Sequence, residues 1–227
     1  MATQFVAGID LTLRITRVKA MRLTVSPPEG RVSLSVPPGT APSSIESFIA
    51  SRREWIITHQ QRMRSVRPPL EPVVDGGRAR LWGTWCDLSI TDAARASARR
   101  RSGGITIGCP DRNEAAARRA LEGLYRRELG DRLRLMLSQW EPRVGRRAGG
   151  IRLRRMRTRW GTCNPRTRVL TFNLALAELD AALLEYVVVH ELVHLWEPGH
   201  GALFRGRIAA LLPDWELKRK RLKGYAG

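Results

Sequence analysis

With 227 residues, 43% hydrophobic and 27% charged, the chain has enough apolar material for one large core or two small ones, which excludes a fibrous or disordered protein. It has no 18-residue apolar run, and its first ten residues lack a basic start followed by an apolar stretch, so neither a membrane span nor an export signal is expected. The net charge of +19 favours contact with a polyanion, but 36 of the 40 cations are arginine, a bias that a GC-rich genome writes without functional demand.

The three cysteines, Cys86, Cys109 and Cys163, form no C-x-x-C pair. They suggest neither a disulfide framework nor a thiolate zinc ribbon, and they suit a reducing cytoplasm.

Alternating apolar and polar residues predict strands over 12–16, 21–26 and 31–36, with a turn at Pro27-Pro28-Glu29-Gly30 between the last two. Ser43-Ser44-Ile45-Glu46 is an S-x-x-E capping box, predicting a helix to about residue 64 with Ile45, Phe48, Ile49 and Ile56 on its apolar side. Pro68, Pro69 and Pro72 mark a loop. Strands are expected over 80–91 and 105–108, separated by an Arg- and Ala-rich loop at 93–104; Trp82 and Trp85 flank Gly83 in a strand turn and are expected in the core. A long helix should run over 113–139 and end before Pro142 and the glycines at 145–150.

The strand expected over 151–156 leads into Arg159-Trp160-Gly161-Thr162-Cys163, and Asn164-Pro165-Arg166-Thr167 turns it into a second strand over 169–173. Asp180 is a candidate N-cap for a helix whose apolar residues lie on nearly all sides, the pattern of a buried helix. A further helix over 202–212 precedes Pro213. In the basic tail, Lys218-Arg219-Lys220-Arg221 would complement a helix dipole at its C-terminus. The expected fold class is α+β: a strand-rich region with one helix over 1–110, then a helix-rich, zincin-like region with a small antiparallel hairpin over 111–227, as two parts or one continuous domain.

Three of the four histidines fall within His190-Glu191-Leu192-Val193-His194-Leu195-Trp196-Glu197-Pro198-Gly199-His200. This is H-E-x-x-H with a third histidine six residues on. On a helix, His190 and His194 leave one face a turn apart and can share an ion, while Glu191, about 100° round, can stand beside the metal without ligating it. The third ligand needs a turn, which Pro198 and Gly199 supply. The chemistry expected is metal-dependent hydrolysis: Zn2+ on His190, His194 and His200, an activated water, and Glu191 as general base. Glu216 could compete as third ligand, in the manner of thermolysin-type sites. The metzincin pattern is disfavoured, because Glu197 occupies its glycine position and no methionine follows His200. Arg159, Trp160, Asn173 and Tyr186 are candidates for a second oxyanion stabiliser. His59, in a polar stretch of another helix, reads as a surface residue.

The stretch Arg159-Trp160-Gly161-Thr162-Cys163, Asn173, the 186–194 segment, Glu197-Pro198-Gly199-His200, Phe204 and Pro213-Asp214 together resemble the YgjP-like metallopeptidase family, distantly related to SprT-like zinc proteases. In the front half Leu23-Thr24-Val25, Val36-Pro37, Trp55-Ile56 and Leu81-Trp82-Gly83 extend the likeness over nearly the whole chain. Thr162 stands where the family's R-W-G-S-C stretch has serine, and it retains the hydroxyl. The resemblance implies zinc held by the three histidines, Glu191 as catalytic acid/base, and a peptide or protein substrate.

Two other functions stay open. One is a phosphoanhydride hydrolase acting on a nucleoside triphosphate such as UTP. It is favoured by eight arginines over 143–159 with no acid among them, which could wall the site, and disfavoured by the lack of a G-x-x-x-x-G-K-[ST] loop. The other is a nucleic-acid-associated protein with a structural zinc, against which Glu191 argues. A solvated basic surface is the plain alternative for the arginines.

Overall fold

Four strands precede the first helix in the computed structural model, which describes residues 3–26, 30–66, 71–156 and 158–225. The chain divides into two compact units, Met1–Pro69 and Leu70–Tyr225.

In the first unit β1 (Thr3–Val6), β2 (Ile9–Ile15), β3 (Arg22–Ser26) and β4 (Arg31–Val36) form a sheet of order β1-β2-β4-β3, with β2 and β4 parallel. Strand β1 was not expected. Ala7 and Gly8 both take positive φ, giving the two-residue turn that pairs Val6 with Ile9. Ile9, Leu11, Val32, Leu34 and Val36 pack with Ile45, Ile49 and Ile56 from two helices, α1 (Pro42–Ala50) and α2 (Arg53–Val66).

The expected capping box does not form. Ala41 is the N-cap with no side-chain hydrogen bond, and Pro42 occupies the first turn, where its missing N–H costs nothing. The single helix expected here is broken at Ser51 and Arg52. Ser51 Oγ donates to Phe48 O at 2.9 Å and Arg52 N donates to Ile49 O at 3.1 Å, three-residue spacings that tighten the turn. The expected turn at Pro27–Glu29, and Pro68 and Pro69, lie outside the described residues.

In the second unit β5 (Arg78–Leu81), β6 (Thr84–Asp92), β7 (Ser97–Arg101) and β8 (Gly104–Cys109) form a sheet of order β5-β6-β8-β7 around a parallel β6/β8 pair. The stretch expected as a loop at 93–104 thus contains a strand, β7. It pairs only with β8 and buries Ala98 alone, so three consecutive arginines are tolerated on the sheet's edge and no apolar alternation betrays it. The strand expected over 80–91 is a hairpin, with positive φ at Trp82 and Gly83. Trp82 is half-buried and donates through Nε1 to Glu128 at 3.1 Å, but Trp85 is 43% exposed beneath Arg80 and is not a core residue.

Helix α3 (Glu114–Val144) starts on Asn113, whose Oδ1 accepts from Ala116 N at 3.1 Å. It continues past Pro142, because Trp140 and Val144 are buried and hold its last turn on the core. Strands β9 (Gly150–Arg154), β10 (Gly161–Asn164) and β11 (Val169–Asn173) follow in the order β10-β11-β9. β10 and β11 form the expected antiparallel hairpin, and β9 adds to it in parallel. A 3-10 turn (Leu174–Glu178) leads to α4 (Ala181–Val193), α5 (Ala202–Leu211) and α6 (Trp215–Lys223).

The whole is α+β. The change from strand-rich to helix-rich sequence near residue 110 falls inside the second unit, because the β5–β8 sheet shares its core with α3 and α4: Leu88, Ile105 and Ile107 belong to one apolar cluster with Leu129, Leu133, Val188 and Leu192. No helix among the described residues is long and apolar enough to cross a membrane.

Candidate metal centre

Asp180 caps α4, its Oδ1 accepting from Ala182 N at 2.9 Å. Nine residues of the helix are buried, among them Leu183, Leu184, Val188, Val189 and Leu192, so its last turn has little freedom to move. His190 lies in that turn and His194 at the C-cap. The chain then bends: Trp196 N and Glu197 N both donate to Val193 O, at 2.9 and 3.0 Å.

The corner is pinned from several sides. Trp196 Nε1 donates to Val144 O at 3.0 Å, the guanidinium carbons of Arg146 and Arg207 lie 3.7 and 4.7 Å from its ring centroid, and the Glu197 carboxylate accepts from Arg207 Nε at 3.2 Å. His194 Nδ1 lies 2.9 Å from Glu197 O. A carbonyl only accepts, so Nδ1 donates, and in the neutral tautomer this bond selects the lone pair lies on Nε2. Glu197 therefore orients an imidazole through its backbone rather than its carboxylate.

The bend brings His200 back to the helix. Its Nε2 lies 3.1 Å from His190 Nε2, and His194 Nε2 lies 3.2 Å from the same atom. Ligand atoms of all three lie within 4.8 Å of one another. A tetrahedral zinc with bonds of about 2.0–2.1 Å places its nitrogen ligands about 3.3–3.4 Å apart, so the donor set and the two separations from His190 are close to what that ion requires. Phe204, buried on α5, has its ring centroid 4.7–4.9 Å from all three imidazoles and forms their apolar floor. Burial, with His194 and His200 adding to it, holds the His190 pKa down at about 3, and burial lowers that of His200 as well. Both imidazoles are thereby neutral, the state in which they ligate a metal.

Glu191 is 4% exposed, and its Oε2 has no hydrogen-bond partner among the described residues. Burial raises its pKa to about 8, against a smaller opposing effect of Arg159. A buried carboxylate oxygen with no partner is costly, and it marks a place where something else is meant to bind. Strand β10 passes directly over this carboxylate: a Cβ on Gly161 would lie 2.5 Å from Glu191 Oε1 and 2.7 Å from its Cγ. Cys163, on the same strand, has its pKa raised to about 11 by burial and by the charge of Glu191.

A cavity of about 520 Å³ opens here, bordered by the three histidines, Glu191, Tyr186 and residues of β10. Of the four oxyanion candidates, Arg159, Trp160 and Tyr186 line it, and Tyr186 Oη lies 3.4 Å from His190 Nδ1. Asn173 does not. It is buried, and its amide donates to Met156 O and Arg159 O, both at 2.9 Å, which fixes the segment leading into β10. Glu216 is exposed on α6 and is not among the cavity's lining residues.

His59 belongs to α2, where it bonds to Trp55 O and stacks on the Trp55 ring. Of the eight arginines over 143–159, Arg157 lies outside the described residues, and Arg159 alone of the others borders the cavity; Arg155 pairs with Glu178, and Arg143 and Arg146 lie over tryptophan rings. Sequence reasoning missed Arg219 and Lys223, which line the cavity from α6. Their four-residue spacing was the available signal.

The family profile of the YgjP-like metallopeptidase domain matches residues 19–225. The chain belongs to the YgjP-like metallopeptidase family. It is thus a metallopeptidase-family protein in which His190, His194 and His200 could hold a metal ion. No curated protein matches it in sequence. The crystal structure of the metallopeptidase zymogen of Pyrococcus abyssi abylysin shares 18% identity with it, covering 40% of this chain and 90% of that one at a TM-score of 0.37, a partial and distant likeness.

Proposed function

We propose that this YgjP-like protein is a zinc-dependent peptidase in which His190, His194 and His200 hold the ion and Glu191 is the general base. The observation that carries this reading is the convergence of three imidazoles, at 3.1 and 3.2 Å, in one cavity with a buried carboxylate whose Oε2 has no partner among the described residues. Zinc, when bound, supplies a Lewis acid for a carbonyl oxygen and lowers the pKa of a water toward neutrality.

The residues of the chain do the rest. Arg159 opposes the effect of burial on Glu191 without cancelling it, and a cation held by the three histidines would favour the ionised form further. Glu191 Oε2 then takes a proton from the attacking water and returns it to the leaving nitrogen. Gly161 leaves room for that carboxylate, and the Glu197 carbonyl keeps His194 in the ligating tautomer. Arg159, Trp160 and Tyr186, all on the cavity wall, are the candidates to stabilise a developing oxyanion.

Strand β10 supports a peptide substrate. It is the end strand of its sheet, and Gly161, Thr162 and Cys163 border the cavity, so an extended peptide can pair along it beside the imidazoles. Three free thiols suit a reducing cytoplasm as its location.

The competing reading, nucleoside triphosphate hydrolysis, is favoured by the cations Arg159, Arg219 and Lys223 on the cavity wall. Turnover of a peptide library and of UTP, each with zinc and with chelator, separates the two, and a salt-dependent DNA shift assay tests nucleic-acid association. The peptidase reading expects zinc-dependent peptide cleavage that Glu191→Gln abolishes while metal is retained. UTP turnover without peptide cleavage would overturn it.

A further inference from the structure

Helix α6 sorts its cations. Lys218, 8% exposed, is bonded through Nζ to Glu185 at 2.9 Å and Asp214 at 3.1 Å. Arg221 pairs with Asp180 at 2.9 Å. These two fasten α6 to α4, so the 218–221 run is not simply a dipole-complementing tail. Arg219 and Lys223, one helical turn apart on a shared face, instead line the cavity with Leu222 between them in sequence. Neither has a carboxylate partner among the described residues; the guanidinium of Arg219 lies 5.9 Å from the Trp215 ring centroid, which leaves its N–H groups available. Arg159 adds a third cation, and among the described residues the only carboxylate bordering the cavity is the buried Glu191.

Such a wall attracts anions, and a guanidinium fork with an ammonium beside it matches a carboxylate in geometry. Trp160, Pro165, Pro198 and Leu222 add apolar surface to the wall, and β10 offers backbone pairing along one side. A peptide bearing a carboxylate satisfies all of these features at once. We infer that Arg219 and Lys223 form a carboxylate receptor, so that the preferred substrates are peptides with a negative charge close to the scissile bond. The inference rests on the peptidase reading and narrows it. The charge can come from an Asp or Glu side chain or from a free C-terminus.

The test uses the zinc-loaded full chain and matched peptides: an end-blocked series with Glu or Gln near the cleaved bond, and a neutral series ending in a free acid or an amide. The first pair reports side-chain recognition and the second terminal recognition. Wild type should favour the carboxylate member of at least one pair by about tenfold in kcat/KM, the scale of two partly exposed charge-assisted contacts. Arg219→Gln with Lys223→Gln should bring that ratio near one, the conservative Arg219→Lys should keep most of it, and Arg219→Glu with Lys223→Glu should shift preference to lysine-bearing peptides.

Binding of the same peptides to the Glu191→Gln protein, measured by calorimetry, supplies a readout independent of turnover. Cleavage with equal rates for charged and neutral members would overturn the inference and leave the peptidase reading standing. Carboxylate-selective binding that depends on Arg219 and Lys223, without any cleavage, would support the receptor and sink the peptidase reading. Binding with no such selectivity, or no binding and no cleavage, would overturn the receptor.

Discussion

Gly161 and Glu191, thirty residues apart in sequence, meet so closely that a single methyl group cannot fit between them: a Cβ at 161 would sit 2.5 Å from Glu191 Oε1 and 2.8 Å from its Cδ. The glycine is required by approach, not by backbone conformation. The Cγ of Glu191 would also be only 2.7 Å away, and it lies two bonds from a helix backbone held in place by the burial of Val188, Val189 and Leu192.

Gly161→Ala should therefore destabilise the fold by about 1–3 kcal/mol, the cost of overpacking a close contact. In a Glu191→Ala background the same change should cost under ~0.5 kcal/mol, since the obstructing carboxylate is gone. A double-mutant cycle by urea denaturation measures this coupling without an activity assay. Additive effects would show that the two residues do not touch.

Metal-stripped protein should lose stability as pH rises from the ordinary glutamate value of 4.5 toward about 8, because in that window the folded state keeps a proton on Glu191 that the unfolded chain has released. Glu191→Gln removes this dependence. Its stability advantage over wild type should grow across the window to a few kcal/mol at most (~1.4 per pH unit, reduced by relaxation of the site). His190, with its pKa lowered to about 3, works on the acid side, costing stability as pH falls below 6.5, and it cancels in the comparison. Denaturation curves at several pH values with chelator present decide the matter; a flat difference would place Glu191 in a more solvated setting.

Elemental analysis should find one zinc per chain, and a chelator should remove it with a fall in the melting temperature. Ligand bound at a thousand times its Kd stabilises the folded state by about 4 kcal/mol. His190→Ala should eliminate binding, because His190 Nε2 is the atom from which both other imidazoles are 3.1–3.2 Å away. Trp196→Ala should weaken binding without touching a ligand, through loosening of the corner that carries His200. Zinc content unaffected by loss of His190 would contradict the proposed ligand set.

Asp180 has two separable roles at the start of α4. Its pKa is held down by the hydrogen bond from Ala182 N and by Arg221. Asp180→Ala should cost about 1–2 kcal/mol through loss of the cap. Asp180→Asn preserves the cap and loses only the exposed pair with Arg221, so it should cost under ~1 kcal/mol. Thermal melts of both variants test this, and equal losses would shift the weight from the cap to the ion pair.

Much of this architecture is legible in the sequence wherever the signal is local. The four-residue spacing of His190 and His194 and the Asp180 cap act over a turn or two of chain, so their geometry follows from helix pitch and backbone sterics, whereas Gly199 does not take the positive φ expected of it and the bend is made by Trp196 N and Glu197 N on Val193 O. The hairpin Gly161–Asn164 with Val169–Asn173 is readable for the same reason, since Asn164 Oδ1 caps its own turn by accepting from Arg166 N and Thr167 N. Capping at Ser43 was the local signal that misled, because Pro42 claims the first turn before it.

What only the tertiary structure decided depends on distance along the chain. The arginines of β7 conceal an edge strand, because a strand paired on one side needs only Ala98 inward. Nothing in local pattern says that Gly161 lies against Glu191, that Phe204 floors the imidazoles, or that Arg219 and Lys223 join the cavity while Lys218 and Arg221 are neutralised by acids of α4 and its flanks. A residue type and its spacing set which chemistry a chain can perform. Which charges stay unpaired beside that chemistry is settled when distant segments pack and their charges either meet a partner or are left facing the cavity.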